Sequence, residues 1–297
     1  MSWVALGGAL VSREDAKVSV YDRGFLYGDS IFETLRTYDG KLFRLGEHLG
    51  RFARSAKITK MSEGMSVGDL GVELERMTCS VLEAARASLE RDESVELTVR
   101  LMLTRGEGPL GLLPTSLGPP TRVTFFERFR APNPALYESG AKVLLVPTHR
   151  PSDAARGAKV GNYLESLLCL SQARDRGADE ALVIDAGGHV VEGATSNVFI
   201  VRGGALVTPP ESSGLLAGIT RSVTLDLARE LGIETREETL FPGDFADADE
   251  AFLTSTLREI MPIGRVEGAE GERRLAAGPV TARLRRAFAE ATGRVSS

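Results

Sequence analysis

At 297 residues the chain is long for a single core, and two domains are the expectation. It is 42% apolar and 26% charged, and its net charge of −5 comes from acids and bases mixed along the chain, which argues against a nucleic-acid backbone as main partner. No stretch approaches the roughly 18 uncharged apolar residues that a membrane span needs.

Met1 to Ser12 has no basic region and its apolar run is broken by Gly7-Gly8, so it is not read as a secretory signal. Val18 to Tyr21 reads as a short strand leading into the loop Asp22 to Asp29. Ser30 to Tyr38 alternates as a second strand, with Asp39-Gly40 as a hairpin signal and Lys41 to Arg44 returning. A helix is expected from near Gly46, with Leu45, Leu49 and Phe52 on one face and Arg51 opposite them as a surface charge. A longer helix from about Val67 to Leu89 would take its stripe from Leu70, Val72, Leu74, Met77 and Val81. Val95 to Thr104 is a predicted strand. Arg105 to Pro120 is a long loop rich in glycine and proline, of a length that usually marks a functional loop or lid. Thr121 to Phe129 closes the N-terminal unit as a strand.

Pro132-Asn133-Pro134 is the best linker, which gives a smaller N-terminal α/β domain over 1–129, a linker over 130–136 and a larger C-terminal domain over 137–297. Beyond it, strands are expected at Lys142 to Val146, Glu180 to Ile184, Val190 to Glu192, Thr195 to Val201, Ala205 to Thr208, Ile233 to Thr235 and Glu250 to Thr254. One helix follows Lys159. Another opens at Gly218-Ile219-Thr220 with Val223, Leu227 and Leu231 as its stripe, and a terminal helix spans about Val280 to Ala291. This mixture of hairpins and helices indicates a mixed α/β and α+β class. No Gly-x-Gly-x-x-Gly follows a strand, so a nicotinamide fingerprint is absent. Cys79 and Cys169 are far apart, each in a helical pattern, and are expected to be buried free thiols of a reducing compartment, hence a cytoplasmic protein. His48, His149 and His189 have no metal-ligand spacing, and no metal is expected.

The chemistry centres on Gly157-Ala158-Lys159-Val160-Gly161-Asn162-Tyr163-Leu164-Glu165-Ser166. Leu164, Leu167, Leu168 and Ala173 have helical spacing, which would put Lys159 at or just before a helix N-terminus. The positive end of the dipole there favours a neutral, nucleophilic amine suited to Schiff-base chemistry. Gly218-Ile219-Thr220 offers backbone N–H groups and a hydroxyl at another helix start, a site suited to phosphate. Ser255-Thr256 is a second small polar cluster, and Val191-Glu192-Gly193 sets a carboxylate at a strand end.

In this order the motifs resemble the class IV aminotransferases, the fold-type IV enzymes dependent on pyridoxal 5′-phosphate. The resemblance runs from Val18 to about Val266. It rests on Asp22-Arg23-Gly24 with Tyr27-Gly28 and Phe32-Glu33, on His48-Leu49-Gly50-Arg51, and on Lys159 with Asn162-Tyr163-Leu164. Glu192-Gly193-Ala194-Thr195-Ser196-Asn197, Gly218-Ile219-Thr220-Arg221, and Thr254-Ser255-Thr256 with Glu259-Ile260-Met261-Pro262 complete it. It implies a two-domain fold like that of D-amino-acid aminotransferase. By this resemblance Lys159 carries the cofactor and shuttles the proton, Glu192 pairs with the pyridine nitrogen, and Tyr163 bonds the ring's phenolic oxygen. Arg51, Ile219, Thr220 and Thr256 would hold the phosphate.

Within the class, an Arg-x-His pair in the loop marks D-amino-acid enzymes, and a basic residue marks aminodeoxychorismate lyases. Here Leu110 and Leu112 stand at the discriminating positions, which favours an apolar substrate side chain. Arg100 matches an arginine that branched-chain enzymes use toward glutamate's distal carboxylate. Tyr27 and Phe32 match pocket aromatics, and Thr256 and Leu257 are assigned to the substrate. The expected substrates are therefore a branched-chain or similar apolar L-amino acid and 2-oxoglutarate. Phe32-Glu33-Thr34 is closer to the lyase pattern and the Asp22-Arg23-Gly24 start to lyases and D-enzymes, so both alternatives stay open. Thr98 stands where the branched-chain pocket has a tyrosine, which leaves open how the carboxylate is bound. The resemblance also implies a homodimer or a multiple of it, with one subunit's loop leaning over its neighbour's active site.

Overall fold

A computed structural model describes residues 2–61, 66–88, 95–113, 116–148, 157–269 and 271–294. Leu89, expected to end a helix, and His149 lie outside them, as do two positions of the 105–120 loop. By its internal contacts the chain divides into two units: Met1–Arg130 with Ala158–Asn162, and Ala131–Gly157 with Tyr163–Ser297. The lysine segment, which the sequence reading gives to the C-terminal domain, thus clusters with the first unit.

The first unit is built on a six-stranded sheet of order β2-β1-β6-β5-β3-β4, antiparallel throughout. Its strands are β1 (Ser2–Leu6), β2 (Ala9–Val11), β3 (Ser30–Tyr38), β4 (Lys41–Leu42), β5 (Leu97–Thr104) and β6 (Arg122–Arg128). β3 has the predicted bounds, and its turn at Asp39 and Gly40 takes the positive φ at both residues that a tight hairpin requires. The β1–β2 hairpin turns through Gly7 and Gly8, both at positive φ, and was not assigned from the sequence.

Helices α2 (Leu45–Ile58) and α3 (Val67–Ala87) supply Leu49, Phe52, Leu70, Leu74, Met77 and Val81 to one core with Ile31, Leu35, Val99 and Leu101 of the sheet. Ser66 caps α3 by accepting from the Asp69 N–H. Two expectations on α3 fail. Val72 is 68% exposed, because the buried stripe runs through Leu70, Leu74 and Met77 instead, and Cys79 is exposed on the same helix.

The predicted strand at Val18 to Tyr21 is also absent. Asp22 instead caps a short helix, α1 (Arg23–Tyr27), accepting from Gly24 N–H at 2.7 Å. Its other oxygen accepts from the Thr104 and Thr121 hydroxyls at 2.8 and 2.6 Å. Those bonds fix Asp22 to the sheet ends and turn the chain there. Gly28, at φ 67, ends α1.

The second unit carries a nine-stranded mixed sheet of order β12-β11-β10-β13-β14-β7-β8-β9, with β15 paired to β14. Its strands are β7 (Ala141–Pro147), β8 (Glu180–Ile184), β9 (Val190–Gly193), β10 (Asn197–Arg202), β11 (Ala205–Thr208), β12 (Thr235–Glu237), β13 (Glu250–Ser255), β14 (Glu259–Gly268) and β15 (Gly271–Arg274). Pairs β14–β7, β7–β8 and β11–β12 are parallel. Its helices are α4 (Ala135–Glu138), α5 (Leu164–Asp175), α6 (Ile219–Glu230) and α7 (Pro279–Ala291). Strands β14 and β15 were unread, and β12 starts two residues later than expected. The α6 stripe is Val223 with Leu225 and Ala228, Leu227 being only half-buried.

Helix α5 corrects a further expectation. Leu164, Leu167 and Leu168 are 64%, 59% and 56% exposed, and the face turned to β7 and β8 is Cys169 and Ala173. Small residues, four apart, let the helix lie close to Val146, Ala178 and Ala181. The leucines fall on the opposite side. The mixed α/β and α+β character is as expected.

Candidate active site

In the first unit Lys159 is held by strand pairing and not by a helix. Val160 bridges Ile31 in antiparallel fashion; Phe32 N–H donates to the Lys159 carbonyl at 3.0 Å and Gly161 N–H to the Ser30 carbonyl at 2.7 Å. The Lys159 N–H donates to Ser55 Oγ of α2 at 3.0 Å. A Cβ on Gly161 would sit 2.0 Å from Ser30 Oγ, so this close pairing uses the glycine. Helix α5 begins five residues later, at Leu164, and the dipole argument for Lys159 fails: the helix effect is confined to the first turn. The Lys159 Nζ lies 4.5 Å from the centroid of the Phe32 ring, a side chain only 1% exposed.

Arg51 is not the surface charge its helix position suggests. It is buried, and its Nε and Nη2 donate to Glu33 Oε1 and Oε2, each at 2.7 Å. His48 Nδ1 lies 2.8 Å from the same Oε2. Strand alternation turns Glu33 toward α2 along with Ile31 and Leu35, and the i, i+3 spacing sets His48 and Arg51 on one helical face to meet it. Burial raises the Glu33 pKa, but hydrogen bonds from Arg51 and His48 and their charges outweigh it, leaving it at about 2. His48 is pushed below 6.5 by burial, with Glu33 opposing and the charges of Arg51 and Lys159 adding to the fall. Glu33, His48 and Ser55 were missed as site residues. The usable signal was an acid inside an otherwise buried strand, with a histidine and an arginine three apart on the next helix.

On the same sheet the Arg100 guanidinium stacks 4.2 Å from the Phe32 centroid, and its Nε is buried without a hydrogen-bond partner among the described residues. Tyr27 lies at the edge of the 105–118 loop, its hydroxyl accepting from Gly111 N–H at 2.9 Å. Leu110 and Leu112 are 72% and 78% exposed.

In the second unit Glu192, at the end of β9, is buried, and its Oε2 accepts from Leu216 N–H at 3.0 Å. Asn197 Nδ2 donates to the Leu216 carbonyl, which brings β9, β10 and the segment entering α6 together. Gly218 is the α6 N-cap and supplies no side-chain cap; a Cβ there would lie 2.0 Å from Asn197 Oδ1. The first-turn N–H groups of Ile219 and Thr220 therefore stand at a helix start without a side-chain cap. In the same unit the Thr254 hydroxyl, two residues before Thr256 in sequence, is buried with no partner among the described residues. Thr256 and Leu257 are half-buried in the β13–β14 turn, where Arg258 pairs with the buried Glu180 and Tyr137 OH donates to the Arg258 carbonyl at 2.9 Å. Tyr163, half-buried, immediately precedes α5. Among the described residues no cluster of metal-ligating side chains occurs and no helix is long and apolar enough to cross a membrane.

Each unit by itself carries groups of the kinds that pyridoxal phosphate requires. The first unit offers an amine beside an aromatic ring and a buried, orientated guanidinium. The second offers a buried carboxylate and a helix start without a side-chain cap. The chain belongs to the amino-transferase class IV family, whose model matches residues 30–266. It is 36% identical over 296 residues to the branched-chain-amino-acid aminotransferase of Escherichia coli K12, covering 96% of this chain and 91% of that one. Among solved structures it is similar to the branched-chain aminotransferase of Thermoproteus uzoniensis with norvaline (TM-score 0.81, 32% identity, 98% and 95% coverage). It is likewise similar to an aminotransferase from Brucella abortus bound to the cofactor pyridoxal phosphate (TM-score 0.83, 27% identity, 98% and 99% coverage).

Proposed function

We propose that the protein is a pyridoxal-phosphate-dependent transaminase that moves the amino group of a branched-chain or similar apolar L-amino acid to 2-oxoglutarate. The single observation that carries this is Lys159, strand-paired beside Phe32 in a class IV aminotransferase chain. When bound, the cofactor supplies a ring that withdraws electrons from the substrate Cα.

Lys159 Nζ would hold the cofactor and would take and return the proton at the substrate Cα. Glu192 would pair with the pyridine nitrogen and keep it protonated, and Tyr163 would donate to the phenolic oxygen. Arg51, the N–H groups of Ile219 and Thr220 and the hydroxyls of Thr220 and Thr256 would hold the phosphate. Phe32, Tyr27, Leu110, Leu112, Thr256 and Leu257 shape the substrate space, and Arg100 takes the distal carboxylate of glutamate. Its buried Nε, lacking a partner among the described residues, supports that role.

The assembly is a homodimer or a multiple of it. Exposure of Leu164, Leu167 and Leu168 on one side of α5 supports this, since apolar side chains grouped on a surface mark interaction sites. A cytoplasmic location accords with two free cysteines. The test is a panel of L- and D-amino acids with 2-oxoglutarate, run beside aminodeoxychorismate. Turnover of leucine, isoleucine or valine is expected; turnover confined to D-amino acids or to aminodeoxychorismate would replace this function.

A further inference from the structure

The Asp22-Arg23-Gly24 motif has no part in the chemistry above, yet Arg23 is a buried and heavily bonded cation of the first unit. It is 3% exposed. Nη1 donates to the Gly111 carbonyl at 2.8 Å, Nη2 to the Leu112 carbonyl at 3.1 Å, and Nε to Asp29 Oδ2 at 3.3 Å. The guanidinium also lies 4.8 Å from the centroid of Tyr27, whose hydroxyl accepts from Gly111 N–H. Arg23 N–H donates to the Gly106 carbonyl at 2.9 Å, so both the start and the tip of the loop are held from one residue.

Asp29 extends the brace. Arg105 donates to it through Nε at 2.6 Å and Nη2 at 3.0 Å, and reaches the carbonyls of Thr59 and Lys60 beyond the end of α2. The next residue is Ser30, whose carbonyl accepts from Gly161 beside the lysine. One bonded chain thus runs from the loop tip through Arg23 and Asp29 to the strand that pairs with the Lys159 segment.

We propose that Arg23 is a positioning residue that presets the Leu110–Leu112 turn and thereby sets the preference for apolar over anionic substrate side chains. The inference rests on the reading of that loop as a wall of the substrate space. Leu110 and Leu112 are exposed on a glycine-rich loop, so packing does little to fix them, and Gly111 itself sits at φ 125. What fixes them is the capture of consecutive carbonyls by a buried fork, a geometry that arginine provides and lysine cannot.

The test compares Arg23→Met and Arg23→Lys with the wild-type holoenzyme. Asp29 keeps Arg105 in both variants, so no carboxylate is orphaned, and Arg23→Lys retains the charge should Arg23→Met fold poorly. Amide hydrogen exchange over 105–113 should quicken in both, more in the methionine variant, while β3 and β5 keep their protection. In single turnover the half-saturating concentration of L-leucine should rise about tenfold, or about 1.4 kcal/mol. The 2-oxoglutarate half-reaction and the pyridoxal phosphate Kd should stay within about twofold of wild type. Unchanged exchange over the loop would overturn the positioning role, and equal losses in both half-reactions would overturn the specificity role in favour of general destabilisation. A wild-type enzyme inert toward every branched-chain donor removes the underlying function instead, and the exchange arm still decides whether Arg23 holds the loop.

Discussion

Glu33 and Arg51 face one another edge to edge, two N–H donors on two carboxylate oxygens at 2.7 Å, both side chains out of solvent. The arrangement neutralises a cation that would otherwise be buried alone, and it aims the guanidinium by two bonds instead of by packing. Removing one partner strands the other, so Glu33→Gln should cost roughly 3–5 kcal/mol at neutral pH. The Glu33 pKa falls from 4.5 to about 2 on folding, so its contribution is complete above 4.5 and is lost as the pH falls toward 2. His48, held below 6.5, acts with the same sign: its contribution is present above 6.5 and is lost in acid. Urea unfolding of wild type and Glu33→Gln from pH 8 to pH 3 should show a gap widest near neutrality and closing below pH 4.5. A gap independent of pH would count against the pair.

Borohydride reduction of the yellow holoenzyme should fix a phosphopyridoxyl group on Lys159 and abolish turnover. Lys159 is the candidate because Phe32 N–H holds its carbonyl and Ser55 Oγ its N–H, so its side chain leaves a defined strand position. Peptide mapping checks this directly. A label on another lysine would displace Lys159 from its role.

Much of this was legible in the chain. β3, β8 and β11 have their predicted bounds because apolar runs between Gly and Asp turns fix short buried strands. Glu192, Gly218 and Thr220 could be placed at a strand end and a helix start by the same punctuation. The support of Lys159 could not. Its pairing with Ser30 to Phe32 joins residues more than a hundred positions apart, and local spacing points instead to the helix that follows. Arg51 looked exposed because helical periodicity sees one apolar stripe and has no means of seeing a carboxylate delivered by β3. For α5 the leucines misled: of the expected stripe only Ala173 packs inward, with the buried Cys169, and the three larger residues do not.

Glu192→Gln should leave the cofactor bound but slow the proton shift at the substrate Cα. The carboxylate already accepts from Leu216 N–H at 3.0 Å, which orients it, and the amide would keep the shape without the charge. A ring nitrogen left unprotonated withdraws fewer electrons, so the single-turnover rate should fall by roughly 10² or more, the scale of one lost preorganised electrostatic partner. Absorbance titration with pyridoxal phosphate and stopped-flow turnover at saturating cofactor separate the two effects. An unchanged rate would take this role from Glu192.

The last expectation separates the two substrate classes on opposite residues. Transamination alternates an apolar amino acid and an anionic oxo acid on one cofactor, so the same space must accept both a hydrocarbon and a second carboxylate. Arg100 has a buried Nε with no partner among the described residues and a guanidinium face covered by Phe32, and in the proposed function it is the cation that takes the anionic oxo acid. Leu110 is 72% exposed on a loop braced by Arg23, which is the state of an apolar side chain kept for another surface. Arg100→Leu should therefore depress the 2-oxoglutarate half-reaction, by roughly 10-fold to 10²-fold for one lost charge-assisted contact of about 1.5–3 kcal/mol. Leucine turnover in the same variant should change little. Leu110→Asp should do the reverse, since a carboxylate facing a leucine or valine side chain must be desolvated without a partner. Measured as separate single turnovers, the two variants should cross: each loses the half-reaction that the other keeps. Parallel losses would mean that the two residues serve one common step and that the division between apolar and anionic recognition lies elsewhere in the chain.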